Sequence, residues 1–234
     1  MNKMKKFLLQ ALFIKIGVVF LGIAIIGTRY IVGKVWFTPQ AGSRKVKKAI
    51  EQATDDVDIR NEFGQTGLMY AAGNAQLETA QFLIKKGANL DLVSDDGDGN
   101  TALHIACFNG DFPQSYKIAE LLIEKGANVN AKNSRGQHSI HYILEIDNLV
   151  ERLSLMKKLK KAGANINVQN NEGNTMLHLA VGMRDKAWIQ IVRKEFGAAL
   201  RTNIKNKNNE TPIEFANRLG FTGEDSVVSA LTKR

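Results

Sequence analysis

Cysteine is almost missing from this chain: Cys107 stands alone in 234 residues. An intramolecular disulfide, a Cys-x-x-Cys redox pair and a cysteine-rich zinc site are therefore excluded, while a single thiol fits either side of a membrane. The sequence has no Gly-rich loop of the kind that cradles phosphate and no nucleophile elbow, so the commonest signatures of nucleotide chemistry and acyl transfer are absent. Acidic residues are missing from the first 48 positions, which hold ten Lys or Arg, whereas residues 49–234 hold 22 basic and 23 acidic residues. The excess positive charge thus belongs to the N-terminal end. A nearly neutral remainder gives no sign of the basic face that nucleic-acid binding requires.

Within that basic end, residues 7–28 read as a membrane-spanning helix. Phe7 to Gly27 is a run of 21 residues interrupted by Gln10 and Lys15, long enough to cross the hydrocarbon core. Lys15 costs about 2.5 to 3.5 kcal/mol near the middle of a span, and the fourteen Leu, Ile, Val and Phe residues of the run return roughly 0.3 to 0.6 kcal/mol each. Residues 1–6 form a basic flank and residues 29–43 an interfacial segment and linker, with Tyr30, Trp36 and Phe37 as aromatic anchors. The start resembles a bacterial export signal. The run nevertheless exits through Ile25, Ile26 and Gly27 and not a small-x-small cleavage site, so it is expected to stay as a signal anchor. Lys3, Lys5, Lys6 and the amine outweigh Arg29 and Lys34 in the fifteen residues beyond the run. That balance places the repeats on the exported, periplasmic side of a single-pass protein; a window widened to Lys48 reverses the count.

From residue 44 onward the chain repeats. Thr66, Thr101, His138, Thr175 and Thr211 open successive apolar-periodic runs at spacings of 35, 37, 37 and 36 residues. A second marker keeps the same phase: Gly87-Ala88-Asn89, Gly126-Ala127-Asn128 and Gly163-Ala164-Asn165. A Thr before a helix caps free N–H groups, and a Gly after Lys or Glu-Lys ends one in the left-handed conformation. Each unit then reads as helix, turn, helix. Small residues (Ala71, Ala72, Ala106, Cys107, Ala180) let first helices approach, and Phe82-Leu83, Leu121-Leu122, Leu155 and Trp188 supply bulk from the second helices. Such a unit buries its apolar face only by stacking.

The stretch Asn100 to Asn130, with NTALHIACFNG and IAELLIEKGANVN, resembles the ankyrin repeat, and the resemblance extends over roughly residues 45–231. It implies an all-α fold: an ankyrin-repeat solenoid of five helix-turn-helix units plus an N-terminal half-unit over residues 44–234, behind one N-terminal transmembrane helix. The third unit matches least, with His138 in the Thr slot and Ile143-Leu144 where alanines are usual. By the same resemblance His104, His141 and His178, one per unit in one slot, tie neighbouring turns together and are not metal ligands. Asp95 to Asn100 lacks the closing Glu of a calcium loop and reads as a turn. Asn209-Glu210-Thr211 matches a glycosylation sequon only because its Thr is the capping slot.

In that family contact residues lie at turn tips and two places after the paired alanines. Those slots here hold Phe63, Asn74, Asp98, Phe108, Asn109, Arg135, Glu145, Ile146, Glu172 and Met183. Phe63, Phe108, Ile146 and Met183 are apolar where exposure is expected, as in a protein-binding surface with a polar rim. The expectation is a membrane-tethered protein-protein interaction module with a protein partner and no catalysis, metal, cofactor, nucleic acid or small-molecule substrate. The alternative is an exported inhibitor or immunity-type protein that neutralises an enzyme or toxin.

Overall fold

The computed structural model describes residues 56–232 apart from Glu62, Asp111 and residues 222–226. The expected membrane span, basic flank and linker lie outside the described residues; among those described, no helix is long and apolar enough to cross a membrane.

Each unit's first helix starts one residue after its opening slot because that slot caps it. Thr66 Oγ1 accepts from the Met69 N–H at 3.4 Å and Thr101 Oγ1 from the His104 N–H at 3.4 Å; Thr211 Oγ1 does the same for Glu214 at 3.3 Å. The third residue answers by accepting from the cap's own N–H, through Met69 Sδ, His104 Nδ1, His178 Nδ1 or Glu214 Oε2. The helices that follow are α1 Gly67–Gly73, α3 Ala102–Phe108, α5 Ser139–Tyr142, α7 Met176–Gly182 and α9 Pro212–Arg218. Their partners are α2 Leu77–Lys85, α4 Pro113–Glu124, α6 Leu149–Lys161, α8 Lys186–Phe196 and α10 Val227–Thr232. Described residues outside the helices form turns and loops, with one isolated bridge between Arg60 and Thr66.

After α2, α4 and α6 the chain reverses at Gly87, Gly126 and Gly163, with φ of 88°, 87° and 94°. The next alanine N–H then bonds back to Leu83, Leu122 and Leu159, closing the helix as a Schellman turn. The Gly-Ala-Asn marker is thus a helix stop. First helices pack on first helices and second on second along the array, making two layers with a continuous core between them. Ala71, Ala72, Ala106, Cys107 and Ala180 are buried at the first-layer contacts, and Leu83, Leu122, Leu155 and Trp188 fill the second; Phe82 and Leu121 are only half-buried.

The third unit departs from its neighbours. α5 runs for four residues and tightens into a 3-10 turn, Ile143–Glu145; Ile143 and Leu144, both buried, put larger side chains into slots that hold Ala71 and Ala72 in the first unit. His138 keeps half of the capping box, its N–H donating to His141 Nδ1 at 3.0 Å, but Gln137 Oε1, His138 Nδ1 and Ser139 Oγ are buried without partners. An arginine adds a tie from this unit to the fourth that has no counterpart among the described residues of the other junctions. Arg152, buried on α6, donates from Nε to the Ile146 carbonyl at 2.7 Å and pairs through Nη1 with Asp185. Its guanidinium lies 5.1 Å from the Trp188 ring centroid, and Asp185 also caps α8 by accepting from the Trp188 N–H at 2.9 Å.

Candidate functional site

Ahead of each first helix the chain makes a hairpin, with an Asn at the base of four of them and Ser94 at the base of the one before Thr101. Asn61, Asn133, Asn170 and Asn206 each accept through Oδ1 from the N–H groups two and four residues on, at 2.9 to 3.1 Å. Six residues before the next helix begins, this side chain replaces a backbone partner and folds the tip. The tips then join: Asp95 N–H bonds to Gly64 O, Ser134 to Asp98, Asn171 to Arg135 and Lys207 to Glu172, at 2.9 to 3.1 Å. Gly64 is required there, since its φ is 69° and a Cβ would stand 2.5 Å from that of Asp95. A second ladder runs below the tips. Asp58, Asp91, Asn130 and Asn167 accept from the N–H of Asn89, Asn128, Asn165 and Arg201 in the next unit, at 2.7 to 3.1 Å.

The histidines are a third tie between units. His104 Nε2 stands 3.1 Å from Gln137 O, His141 Nε2 3.3 Å from Val168 O and His178 Nε2 2.9 Å from Glu210 O. Since Nε2 faces a carbonyl and Nδ1 accepts a cap N–H, the imidazoles are neutral with the proton on Nε2. Burial pushes His104 and His141 down to about 4, and lowers His138 and His178 as well. Both nitrogens of His104, His141 and His178 are engaged in these bonds, which is a structural role. Among the described residues no group of three or more His, Cys, Asp or Glu is placed to hold a metal. Burial also lifts the Cys107 thiol to about 12, far from thiolate reactivity.

On this frame eight of the ten sequence-selected contact residues fall into two rows. Phe63, Asp98, Arg135 and Glu172 sit on consecutive hairpin tips, with Arg135 Nη2 2.9 Å from Asp98 Oδ1. Asn74, Phe108, Asn109 and Met183 sit at the C-terminal ends of first helices, and Asn109 Nδ2 reaches across to Gly73 O at 3.4 Å. Phe63 is 46% exposed, Phe108 39% and Met183 49%. Glu145, half-buried, borders the row.

Ile146 does not belong to the row, contrary to its sequence slot. It is fully buried beneath Gly110, whose Cβ would lie 2.5 Å from Ile146 Cγ1. α5 ends at Tyr142 and a 3-10 turn follows, with Ile146 as its buried cap; Tyr142, four residues after the opening slot as Tyr70 is, faces Phe108 edge to face at 5.8 Å. The sequence reading also missed Leu219, 37% exposed at the end of α9, and Arg184, stacked 4.4 Å from the Phe221 ring centroid. Leu219 could have been found from its equivalence to Asn74 and Met183 as the cap residue.

The family of ankyrin repeats matches residues 40–133, in three copies. A putative ankyrin repeat protein of Rickettsia felis is 35% identical over 114 residues, covering 45% of this chain and 49% of that protein. Another from Rickettsia bellii is 30% identical over 100 residues, covering 42% and 14%. Human ankyrin repeat and KH domain-containing protein 1 is 33% identical over 95 residues, 41% of this chain and 4% of that one. The chain spans less than half the length of each of these relatives. Residues 40–133 belong to the ankyrin repeat family, and the same pairing of helices continues beyond them to Thr232.

Proposed function

We propose that this chain is a single-pass membrane protein whose repeat array, held on the exported side by residues 7–28, binds a protein partner and carries out no chemistry of its own. The observation that carries the binding reading is the apolar row Phe63, Phe108, Met183 and Leu219, exposed at tips and first-helix ends of a layer otherwise closed by hydrogen bonds. Large apolar side chains set among Asn74, Asp98, Asn109, Arg135, Glu145 and Glu172 fit the pattern of an anchor surrounded by a polar rim. The tether rests on the apolar run and its basic flank.

One experiment tests both halves. Full-length chain is expected to stay in cell membranes through an alkaline wash, and from those membranes to capture a defined partner protein. Serine at both Phe108 and Met183 should leave the melting midpoint unchanged and weaken that capture by about 2 kcal/mol, about thirtyfold in affinity. Loss of the chain in the wash removes the tether. Undiminished affinity in the folded double variant removes the row from the interface.

A further inference from the structure

We propose that the face opposite the partner-binding layer, built by the second helices, rests on an anionic lipid bilayer and so fixes which side of the array points outward. This rests on the membrane-tethered reading above. Charge in the array is divided by layer. The second helices α2, α4, α6 and α8 with their cap residues Lys86 and Lys125 hold twelve basic and five acidic residues; the other described residues hold eight basic and twelve acidic.

Helix dipoles favour cations at helix C-termini, but they do not account for this division. First helices have the same dipole, yet α1, α3 and α7 have no basic residue in the last turn. The second helices end instead in Lys85 and Lys86, Lys125, Lys160 and Lys161, and Lys194, all exposed. Stacking of one second helix on the next sets these ends in one row. The acids nearby are matched within the layer: Lys157 holds Glu195 at 2.8 Å, and Lys158 holds Glu120 and Glu124 at 3.1 and 3.4 Å. Lys85, Lys125, Lys161 and Lys194 are exposed and have no ion pair among the described residues.

The chemistry of the row favours lipid over nucleic acid. Its exposed cations are lysines, flexible point charges that reach a headgroup layer from an apolar stem. Arginines, the residues of bidentate phosphate recognition, are engaged elsewhere in this layer: Arg152 with Asp185, and Arg193 with the Ala230 carbonyl at 2.5 Å. A bilayer that held residues 7–28, as proposed above, would meet this row at high effective concentration.

The test is amine-reactive footprinting of the full chain in lipid nanodiscs, either of phosphatidylcholine or of an equal mixture with phosphatidylglycerol. Lys85, Lys125, Lys161 and Lys194 are expected to label about fivefold more slowly in the anionic discs. Raised salt should restore their labelling, and Lys132 and Lys207 on the hairpin side should label equally in both discs. Equal labelling of the row in both discs overturns the proposal, and alkaline extraction of cell membranes reads the tether separately, so one can fail while the other stands. Equal protection by a short DNA duplex added to the neutral discs overturns the choice of lipid.

Discussion

Lowering the pH from 7 to 5 is expected to cost the folded array several kcal/mol of stability, most of it through His104 and His141. Both are neutral and buried, with pKa values pushed from 6.5 to about 4. In the unfolded chain they take up protons below about 6.5, whereas in the folded chain they do not until about 4. Unfolded chain therefore binds more protons throughout that window, and stability falls as pH falls. The full contribution is present above 6.5 and gone below 4. A shift of this size is worth about 3 kcal/mol for each group, roughly 2 of them lost by pH 5. Denaturant midpoints of the full chain in detergent at pH 7, 6 and 5 measure it. His141→Gln, which keeps an amide able to donate to Val168 O, should flatten the slope by about half. A midpoint that does not move over this range would show that these imidazoles are open to water.

Breaking the Arg152 pair is expected to cost about 3 to 5 kcal/mol. Arg152→Met would leave the Asp185 carboxylate and the Ile146 carbonyl without their donor and the Trp188 ring without the guanidinium on its face. The cost is high because the pair sits where the array is weakest: the third unit has a four-residue first helix and three buried polar atoms without partners. Asp185→Asn added to Arg152→Met should recover much of the loss, since asparagine still caps α8 and no charge is then left unmatched. The midpoints of the two variants and the parent form the comparison. A single variant within about 1 kcal/mol of the parent would place the junction's stability elsewhere.

Much of this fold was legible in the sequence because two markers with separate physical causes kept one phase. The Thr slot is a helix start and Gly-Ala-Asn a helix stop, and both appear in the structure in those roles. The histidines read correctly as ties between units for the same reason: position in the repeat identified them. Ile146 was misread because a slot argument assumes equal helices, and α5 ends three residues short of α3 or α7. Periodicity cannot show that, with Ile143 and Leu144 in the alanine slots, the first helix stops at Tyr142 and continues as a 3-10 turn. The Arg152 and Asp185 pair joins residues 33 apart with no repeat counterpart, so no pattern marks it. The hairpin asparagines did carry a signal, five residues before Thr66, His138, Thr175 and Thr211, which the apolar pattern left unread.

The central claim is that the first-helix layer and its hairpin tips hold the partner. Amide hydrogen exchange of the full chain in lipid discs, with and without purified partner, tests it most directly. Exchange is expected to slow at the ends of α1, α3 and α7, around Asn74, Phe108 and Met183, and at the tips from Phe63 to Glu172, with α2, α4 and α6 unchanged. Slowing confined to the second helices, or none at Phe108 and Met183 in a saturated complex, would contradict the account.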